Sequence, residues 1–412
     1  MTSAGTVIIG TGLAGFQTAA SLRAESYQEP ITLIGEEPHI PYQRPPLSKG
    51  FALGTQDRDS IELRPQKFYQ DHKINLITGQ RVAAIQPVER HIQLASGSRI
   101  PYDKLILAVG ASNRLLPIPG AKLDGVLYLR SLDEAIALKE CLATAKNVAV
   151  IGGGFVGLEL AAVASSLGKS VTVIEALPRL MSRVVAPIIS QYFVDLHSGR
   201  GVKVICGASV TEIAGVSGKA SSLALNDGTQ IDADLILVGI GVVPNVDLTR
   251  DAGLPVSNGI AVNEHLQTQD ENIFAIGDCA EHPCSFANAR LRLESVQNAA
   301  DQAQCVAATI AGKEEIYRAL PWFWTDQFDI KLQMAGISHG HDRIVTRGHR
   351  ETGKLSVFYF KQNRLIAVDS INRPLDHMLG RKLLAAGTAL TPEQATDENF
   401  DLKTLAQKPK ST

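Results

Sequence analysis

The sequence lacks the features that would direct it to a membrane, to nucleic acid or out of the cell. Its formal net charge is -2, so no excess charge attracts nucleic acid or anionic lipid. No uninterrupted apolar run approaches the roughly 20 residues of a membrane-spanning helix. The start of the chain has no charged segment followed by an apolar one, as a secretory signal would. We therefore expect a cytoplasmic protein that binds neither nucleic acid nor membrane.

Cysteine is also scarce, and its positions carry no metal-binding pattern. The five cysteines are an odd number without zinc-type spacing, which argues against a disulphide framework and against a metal site. Cys279 and Cys284 stand close enough in sequence to form a redox pair. The alternative interpretation is that the cysteines are small buried residues. They are Cys141, Cys206, Cys279, Cys284 and Cys305.

What the chain does contain is a dinucleotide-binding pattern near its start, here named copy one. An apolar strand is predicted at Thr6–Ile9, a helix over 16–23 and a second strand at Ile31–Ile34. A Gly-x-Gly-x-x-Gly spacing joins the first strand to the helix. In such a unit the glycines allow a tight turn, close approach of a pyrophosphate, and packing of the helix against the strand. The helix N-terminus then faces the phosphates with unpaired amides. These glycines are Gly10, Gly12 and Gly15.

The same order of elements recurs as copy two, with strands predicted at 148–151 and 170–174 around a helix over 158–167. A closing strand follows in each copy, at 103–110 and at 234–241. Turn signals at 94–99 and 225–230 predict a small antiparallel meander in each copy. With 412 residues, the chain has room for both copies as separate domains. The glycines of copy two are Gly152, Gly154 and Gly157.

The last part of the chain has a different pattern. A buried strand ending in Gly277-Asp278 and a helix over 296–311 precede a change to strand-like runs from about Pro321. A helix over 373–386 follows, and the polar tail from Thr391 is expected to be partly disordered. These elements predict a third, α+β domain with an antiparallel sheet. Its strands are predicted at 330–334, 343–346, 355–360 and 365–369.

A carboxylate at the end of the second strand of each copy can accept hydrogen bonds from a ribose hydroxyl. The candidates are Glu36 in copy one and Glu175 in copy two. Since a carboxylate repels a 2′-phosphate, Glu175 favours NAD over NADP. Arg179 and Arg183 qualify this preference, because a nearby arginine accommodates that phosphate; both could equally contact the pyrophosphate or be solvated.

The combination of motifs resembles the bacterial NADH-dependent ferredoxin reductases that serve haem monooxygenases and Rieske-type dioxygenases, the putidaredoxin reductases among them. The resemblance covers the chain up to about Pro374. It is carried by the two fingerprints and the strand end at Gly277-Asp278, together with the segments 43–49, 294–299 and 321–327.

The resemblance implies an α/β fold of the glutathione-reductase type, with two Rossmann-like domains and a C-terminal α+β domain. An FAD-binding domain would span 1–111 and 245–321, an NAD-binding domain 112–244, and the C-terminal domain 322–412. The implied FAD site consists of Gly10, Gly12, Leu13, Ala14, Gly15, Glu36, Arg44, Lys49, Val82, Ala108, Gly110, Arg130, Asp278, Ser295, Val296 and Trp324. The implied NAD site consists of Gly152, Gly154, Phe155, Val156, Gly157, Glu159, Glu175, Arg183, Gly241 and Glu294.

Three of these residues would act in catalysis. Lys49 resembles the lysine beside the reactive edge of the flavin, and Glu159 resembles its carboxylate partner. A cation there would stabilise the negative charge of the reduced flavin. Trp324 resembles the aromatic residue placed near the flavin and the docked partner. The alternatives are a solvated loop lysine and a tryptophan of the core.

The resemblance implies hydride transfer from NADH to FAD, followed by single-electron transfer to a [2Fe-2S] ferredoxin. Related disulphide reductases carry cysteines after the first strand, where this chain has residues 45–49 instead, so a thiol relay lacks its nucleophile. Three alternatives stay open: an NADH diaphorase or oxidase, a rubredoxin reductase, and a redox-sensing interaction protein. We expect the protein to be a monomer or a weak dimer. Basic residues that could dock an acidic ferredoxin are Arg290, Arg292, Lys403, Lys408 and Lys410, although all could be solvated surface charge.

Overall fold

The computed structural model describes residues 3–406 and divides into two compact units. The first unit comprises residues 3–43, 58–112 and 243–321. The second comprises residues 44–57, 113–242 and 322–406. These units divide the chain near the predicted domain boundaries, and they group residues 44–57 with copy two.

A five-stranded parallel sheet forms the core of the first unit. Its strands are short apolar runs that alternate with helices, and the sheet is therefore covered on both faces. The fingerprint helix Leu13–Ala24 packs against the later helix Val296–Ile310. In order across the sheet the strands are Ile273–Ala275, Lys104–Leu107, Thr6–Ile9, Ile31–Ile34 and Ile74–Ile77.

Smaller elements complete the first unit. The predicted meander consists of Val82–Gln86, His91–Leu94 and Arg99–Pro101. A second three-stranded sheet was not predicted, and its strands are Ile260–Ala261, Ala280–Cys284 and Ala289–Arg292. The short helices are Asp59–Ile61, Gln66–Asp71, Asp247–Asp251 and Gly277–Cys279.

The second unit repeats the parallel sheet around copy two. Its helices are Leu132–Thr144, Phe155–Ser166 and Pro187–Gly199, and the first begins at a capping box formed by Ser131 and Glu134. In order the strands are Lys203–Cys206, Ser170–Glu175, Asn147–Ile151, Leu235–Val238 and Val126–Leu127. The meander strands are Val210–Val216, Lys219–Leu225 and Gln230–Asp232. The segment 44–57 adds the helical turns Pro45–Ser48 and Gly50–Leu53.

A five-stranded antiparallel sheet occupies the last part of the second unit. The helix Pro374–Ala386 packs on two of its central strands. In order the strands are Trp322–Gln327, Ile330–Gly336, Arg364–Ile371, Lys354–Lys361 and Arg343–His349. A turn of helix, Arg350–Thr352, joins two of them. The predicted fold class, α/β with parallel sheets and a C-terminal α+β domain, is confirmed. Two short strands, Ala111–Asn113 and Val242–Pro244, lie where the units divide.

The tail is ordered as far as the structure describes it, up to residue 406, and residues 407–412 of the segment predicted to be partly disordered lie outside the described residues. The helix Pro392–Thr396 begins at a capping box made by Thr391 and Gln394, and a further turn lies at Lys403–Ala406. The buried guanidinium of Arg347 donates hydrogen bonds to the carbonyl oxygens of Asp397, Glu398 and Phe400. The tail is held by this arginine, whose sequence position gave no sign of the contact.

Across residues 3–406, no helix combines the length and the apolar composition needed to cross a membrane.

Candidate functional site

The glycine loop of copy one has the geometry of a phosphate cradle. Gly10 has φ +113°, and a Cβ there would lie closer than 3.0 Å to the carbonyl oxygen of Ala108. A Cβ at Gly15 would collide in the same way with the carbonyl of Gly10. At Gly12, apart from the glycine and its two chain neighbours, no described atom lies within 4 Å of the position of a Cβ. Two glycines are thus required by the fold, while the third leaves open space at the helix N-terminus, as a pyrophosphate needs.

Several predicted FAD residues lie beside this loop at the carboxyl ends of neighbouring parallel strands. Ala108 and Gly110 follow one strand, and Gly277-Asp278 follows the next. The side chain of Gln302 accepts a hydrogen bond from the Gly277 amide at 2.7 Å, which fixes this strand end. Leu13 and Ala14 begin the fingerprint helix, and Ser295 caps the helix that starts at Val296.

Glu36 and Val82, which are also predicted FAD residues of the first unit, differ in their exposure to solvent. The Glu36 carboxylate follows its strand as predicted, is 69% exposed, and lies 3.7 Å from Arg81. Val82 is buried in the core of the first unit. Glu36 is therefore accessible to a ribose, whereas the structure places Val82 in packing.

Copy two repeats the cradle with the same backbone hydrogen bonds. The Gly152 amide donates to Ile174 at 2.8 Å, as Gly10 donates to Ile34 at 2.7 Å. A Cβ at Gly157 would collide with the carbonyl of Gly152. A Cβ placed at Gly154 would have no described atom within 4 Å other than those of the residue itself and its two chain neighbours. The two loops therefore fit the diphosphates of two dinucleotides.

The Glu175 carboxylate lies directly at the second loop. Its Oε2 accepts a hydrogen bond from the Gly153 amide at 2.6 Å, and its Oε1 accepts one from the Leu177 amide at 2.8 Å. Both bonds hold the charged carboxylate at the place where the ribose of a dinucleotide would lie.

The two arginines near Glu175 differ in their contacts. Arg179 donates hydrogen bonds to the carbonyls of Val185 at 2.7 Å and Ser182 at 2.6 Å, and to the Ser190 hydroxyl at 2.8 Å. It braces its own loop and is not available for a phosphate. Arg183 is exposed.

Lys49 and Glu159 are brought together, although 110 positions separate them in the sequence. Lys49 Nζ lies 2.8 Å from Glu159 Oε1, and the two side chains are 23% and 5% exposed. The Ser48 hydroxyl donates to Glu159 Oε2 at 2.5 Å, and the Thr325 hydroxyl donates to Oε1 at 2.6 Å. The lysine is therefore not a solvated loop residue but one member of a buried cluster.

Two further cationic residues of the predicted FAD site also meet in the second unit. Arg44 donates a hydrogen bond to the carbonyl oxygen of Arg130. The Arg130 amide in turn donates to the Glu134 carboxylate at 2.6 Å, within the capping box of the following helix. The helix start thereby fixes the backbone of Arg130, and through it Arg44.

Trp324 lies half-buried on the strand Trp322–Gln327 and stacks on Trp322, with 5.6 Å between ring centroids. Arg381 lies over the Trp322 ring at 4.5 Å. The alternate face of the same strand carries Phe323, whose ring lies 4.8 Å from that of Phe155. Trp324 is thus on the opposite face of the strand from Phe323.

The remaining predicted NAD residues are less closely grouped. Val156 is 44% exposed at the start of the fingerprint helix, and Gly241 has φ +97° after the closing strand. Glu294 belongs to the first unit, where its carboxylate pairs with Arg292 at 2.6 Å.

The predicted docking arginines do not flank an open loop. Both lie on the strand Ala289–Arg292, and their guanidinium groups are engaged within the first unit. Arg290 donates to the carbonyls of Val262 and Glu281, at 2.9 Å and 2.6 Å. Arg292 is 10% exposed and donates to the Asp278 carbonyl at 2.9 Å. Lys403 is exposed, and Lys408 and Lys410 lie outside the described residues.

The cysteines are poor candidates for a thiol relay. All five are free thiols, and burial raises the pKa of Cys279 to about 11 and that of Cys305 to about 12. Burial also raises the pKa values of Cys141 and Cys206. Since the thiolate is the nucleophile, a raised pKa makes each of these four thiols less nucleophilic near neutral pH than an ordinary cysteine.

Sequence reasoning missed Ser48, Thr325 and Gln302. Each lies within or beside a motif that was noted, yet its partner is distant in sequence. Ser48 is 111 residues from Glu159, and Thr325 is 166 residues from it. No local pattern signals such a contact.

Comparison with known proteins assigns the family. The profile of the pyridine nucleotide-disulphide oxidoreductases matches residues 5–303, and that of the reductase C-terminal domain matches residues 322–406. A rhodocoxin reductase from Rhodococcus erythropolis is 48% identical over 98% of this chain and 95% of its own length. This chain belongs to the ferredoxin reductases of the pyridine nucleotide-disulphide oxidoreductase family.

Solved structures agree with this membership. The ferredoxin reductase of the CYP199A2 system from Rhodopseudomonas palustris superposes with a TM-score of 0.95, at 48% identity over 97% of this chain and 99% of that one. The covalent putidaredoxin reductase–putidaredoxin complex gives a TM-score of 0.96 at 38% identity over 99% of each chain. The resemblance drawn from the motifs is confirmed, and so are the oxidoreductase class and the use of FAD with a nicotinamide dinucleotide.

Proposed function

We propose that this chain moves a hydride from NADH to FAD and passes the electrons singly to a [2Fe-2S] ferredoxin, which feeds a haem monooxygenase or a Rieske dioxygenase. The observation that carries the proposal is the ion pair of the partly exposed Lys49 with the buried Glu159, in a chain with two phosphate cradles. FAD, when bound, supplies a ring system that accepts two electrons together and releases them one at a time.

The protein's own contribution to hydride transfer is position and field. Lys49 supplies a positive charge that stabilises negative charge developing nearby, and a charge in a water-poor site acts more strongly than one in solvent. Glu159 keeps the ammonium group in place at 2.8 Å and balances its charge. Because no proton has to move to or from the protein in this step, the pair works by orientation.

The assignment of FAD to copy one and of NADH to copy two rests on the family resemblance and on the carboxylate of Glu175 in copy two. Copy one, with the strand ends at Ala108 and Asp278, holds FAD. The family resemblance assigns Arg44, Lys49, Arg130 and Trp324 to FAD binding as well. Copy two, with Glu175, holds NADH. The division into an FAD-binding domain over 1–111 and 245–321, an NAD-binding domain over 112–244 and a C-terminal domain over 322–412 rests on the same assignment.

NADH is the preferred donor on electrostatic grounds. The Glu175 carboxylate is fixed by two backbone amides and cannot turn away from a 2′-phosphate without losing both bonds. Arg179 is committed to its own loop, so of these two arginines it is Arg183 that could attract that phosphate. A fixed negative charge outweighs one exposed cation, which solvent screens.

A [2Fe-2S] ferredoxin is the acceptor. The relatives include a putidaredoxin reductase captured with putidaredoxin, and burial raises the pKa values of the Cys279 and Cys305 thiols, which makes them poor electron relays. The ferredoxin docks at the strand Trp322–Gln327, where the half-buried ring of Trp324 offers an apolar contact. The free thiols suit a reducing compartment, and we place the activity in the cytoplasm.

The test is an anaerobic titration of the purified flavoprotein with NADH and separately with NADPH, followed by addition of putidaredoxin or a rubredoxin. We expect rapid bleaching by NADH, slow bleaching by NADPH, and return of the oxidised flavin spectrum on adding the ferredoxin. Return with rubredoxin alone would replace the ferredoxin by rubredoxin as acceptor. If neither protein reoxidised the flavin, the acceptor assignment would fail.

A further inference from the structure

Glu159 is surrounded by more donors than its pairing with Lys49 requires. Its carboxylate is buried on the fingerprint helix of copy two. Lys49 and Thr325 both reach Oε1, at 2.8 Å and 2.6 Å, and Ser48 reaches Oε2 at 2.5 Å. Both oxygens of the carboxylate are therefore fixed, and with them the plane of the group.

Thr325 is itself held by a line of buried side chains. Gln327 Nε2 lies 3.4 Å from the Thr325 oxygen, and His197 Nε2 lies 2.9 Å from Gln327 Oε1. Burial lowers the pKa of His197, so its ring is neutral at pH 7 and carries one N–H, which this contact places on Nε2. Each group donates toward Glu159, and hydrogen bonds aligned in this way strengthen one another.

We propose that Thr325 and Ser48 are positioning residues that fix Glu159 and, through it, place the Lys49 ammonium for hydride transfer. This inference rests on the proposed function. Neither residue touches the reacting atoms. Thr325 also neighbours Trp324, so the strand proposed to receive the ferredoxin is hydrogen-bonded to the group that orients Lys49.

The geometry explains why two hydroxyl groups are needed. A glutamate side chain has three rotatable bonds, and a salt bridge to one flexible lysine leaves it several orientations. Two short hydrogen bonds from Ser48 and Thr325, which lie on separate segments, remove that freedom. A small displacement of a catalytic charge is costly, because electrostatic stabilisation depends on preorganised groups.

The test compares Thr325→Val, which removes the hydroxyl and keeps the shape, with Thr325→Ser, which keeps the hydroxyl. We expect Thr325→Val to slow anaerobic flavin reduction by NADH about tenfold, as for one lost hydrogen bond to a charged group. Thr325→Ser should restore the rate, and the Kd for NADH should not change. Thr249→Val is the matched control, because within the described residues its buried hydroxyl has no partner.

Two further measurements separate positioning from general damage. In a Lys49→Met background, Thr325→Val should have no additional effect, since the group it positions is gone. In a crystal structure of Thr325→Val, Lys49 Nζ should lie beyond hydrogen-bond distance of Glu159 or occupy two positions. Equal slowing in both backgrounds, or a wild-type rate for Thr325→Val, overturns the inference.

The outcomes also distinguish this inference from the function it rests on. If NADH fails to reduce the wild-type flavin, the proposed function fails, while the crystal structure still tests the positioning. If wild type is reduced and Thr325→Val is equally fast, only the inference fails. Should Thr325→Val not fold, Ser48→Ala removes the donor to Oε2 and is held to the same expected slowing and the same test in the Lys49→Met background.

Discussion

The two glycine loops allow the roles of the two copies to be separated by single methyl groups. Gly154 has φ -83° and ψ -177°, a conformation that alanine adopts freely. No described atom beyond its two chain neighbours lies within 4 Å of its Cβ position. Gly154→Ala should therefore leave the folded protein intact and, by restricting the unfolded chain, stabilise it by about 0.4–1 kcal/mol. The added methyl group extends into the space that the second phosphate cradle leaves open.

The same methyl group should weaken NADH binding. A carbon atom holds its neighbours at about 3.5–4.0 Å, so a phosphate oxygen can no longer approach the backbone amides at about 2.9 Å. Losing one charged hydrogen bond costs about 1.5–3 kcal/mol, which corresponds to a 10-fold to 100-fold higher Kd. FAD should stay bound. The equivalent change in copy one, Gly12→Ala, should instead reduce FAD content.

The assay is the Kd for NADH, from equilibrium titration under anaerobic conditions, together with the FAD content and the thermal midpoint. Gly157→Ala is the contrasting variant, because its Cβ would collide with the Gly152 carbonyl and should destabilise the fold by about 1–3 kcal/mol. If Gly154→Ala lost FAD and kept its affinity for NADH, the two copies would have the opposite roles.

Three further predictions address the charged groups. Lys49→Met should slow flavin reduction by NADH about 100-fold while FAD stays bound, as followed by stopped-flow bleaching. The control is Lys67→Met, at an exposed ion pair with Asp71, which should leave the rate of flavin reduction unchanged. Glu175→Gln removes the charge and keeps an acceptor for the Gly153 amide, so the preference for NADH over NADPH should shrink about tenfold in the ratio of Kd values; an unchanged ratio would place the ribose elsewhere. Burial raises the pKa of Asp369 to about 7, against about 3.9 in an unfolded chain. The folded protein therefore binds the Asp369 proton more tightly than the unfolded chain does. The stability that this protonated carboxyl contributes is fully present below about pH 4 and is lost as the pH rises to about 7. Asp369→Asn keeps an acceptor for the Tyr359 hydroxyl, so in urea unfolding its stability relative to wild type should rise by up to about 4 kcal/mol between pH 4 and pH 8; parallel pH profiles would show that Asp369 is ionised throughout.

The elements around the fingerprints could be predicted because their signals are local. A strand, a glycine loop and a helix follow one another within about 15 residues, and the strand Ile31–Ile34 was placed at its observed bounds. The closing strands and meanders carry apolar and turn signals of the same kind. These helices, strands and turns depend on residues that are close to one another in the sequence. The periodicity of apolar residues therefore predicts them directly.

Other features depend on partners far away in the chain and left no local signal. The strands Ala280–Cys284 and Ala289–Arg292 are short and polar, and they are defined by pairing with each other. The tail reads as polar and loosely structured until the contacts of the Arg347 guanidinium are known. Burial of a polar residue by a distant segment is a tertiary effect that composition does not reveal.

In the candidate site, too, the contacts between residues distant in sequence could not be predicted from local patterns. Lys49 and Glu159 were paired through the family resemblance, and their contact at 2.8 Å could not have followed from spacing. Serine and threonine are common residue types, so Ser48 and Thr325 do not stand out in the sequence. Only their hydrogen bonds to the Glu159 carboxylate indicate a role for their hydroxyl groups. The family assignment is confirmed by the comparisons, whereas the roles of individual residues are still predictions.

In the proposed function, electrons from NADH leave this protein through a ferredoxin. The most direct measurement is the rate of NADH oxidation in air, with and without putidaredoxin. It is made on the untreated reductase and on reductase whose own thiols have been alkylated beforehand. We expect the ferredoxin to accelerate turnover far above the oxygen-only rate, and we expect alkylation of the reductase to change neither rate. Turnover that ferredoxin does not accelerate, or that alkylation abolishes, would contradict the proposed function.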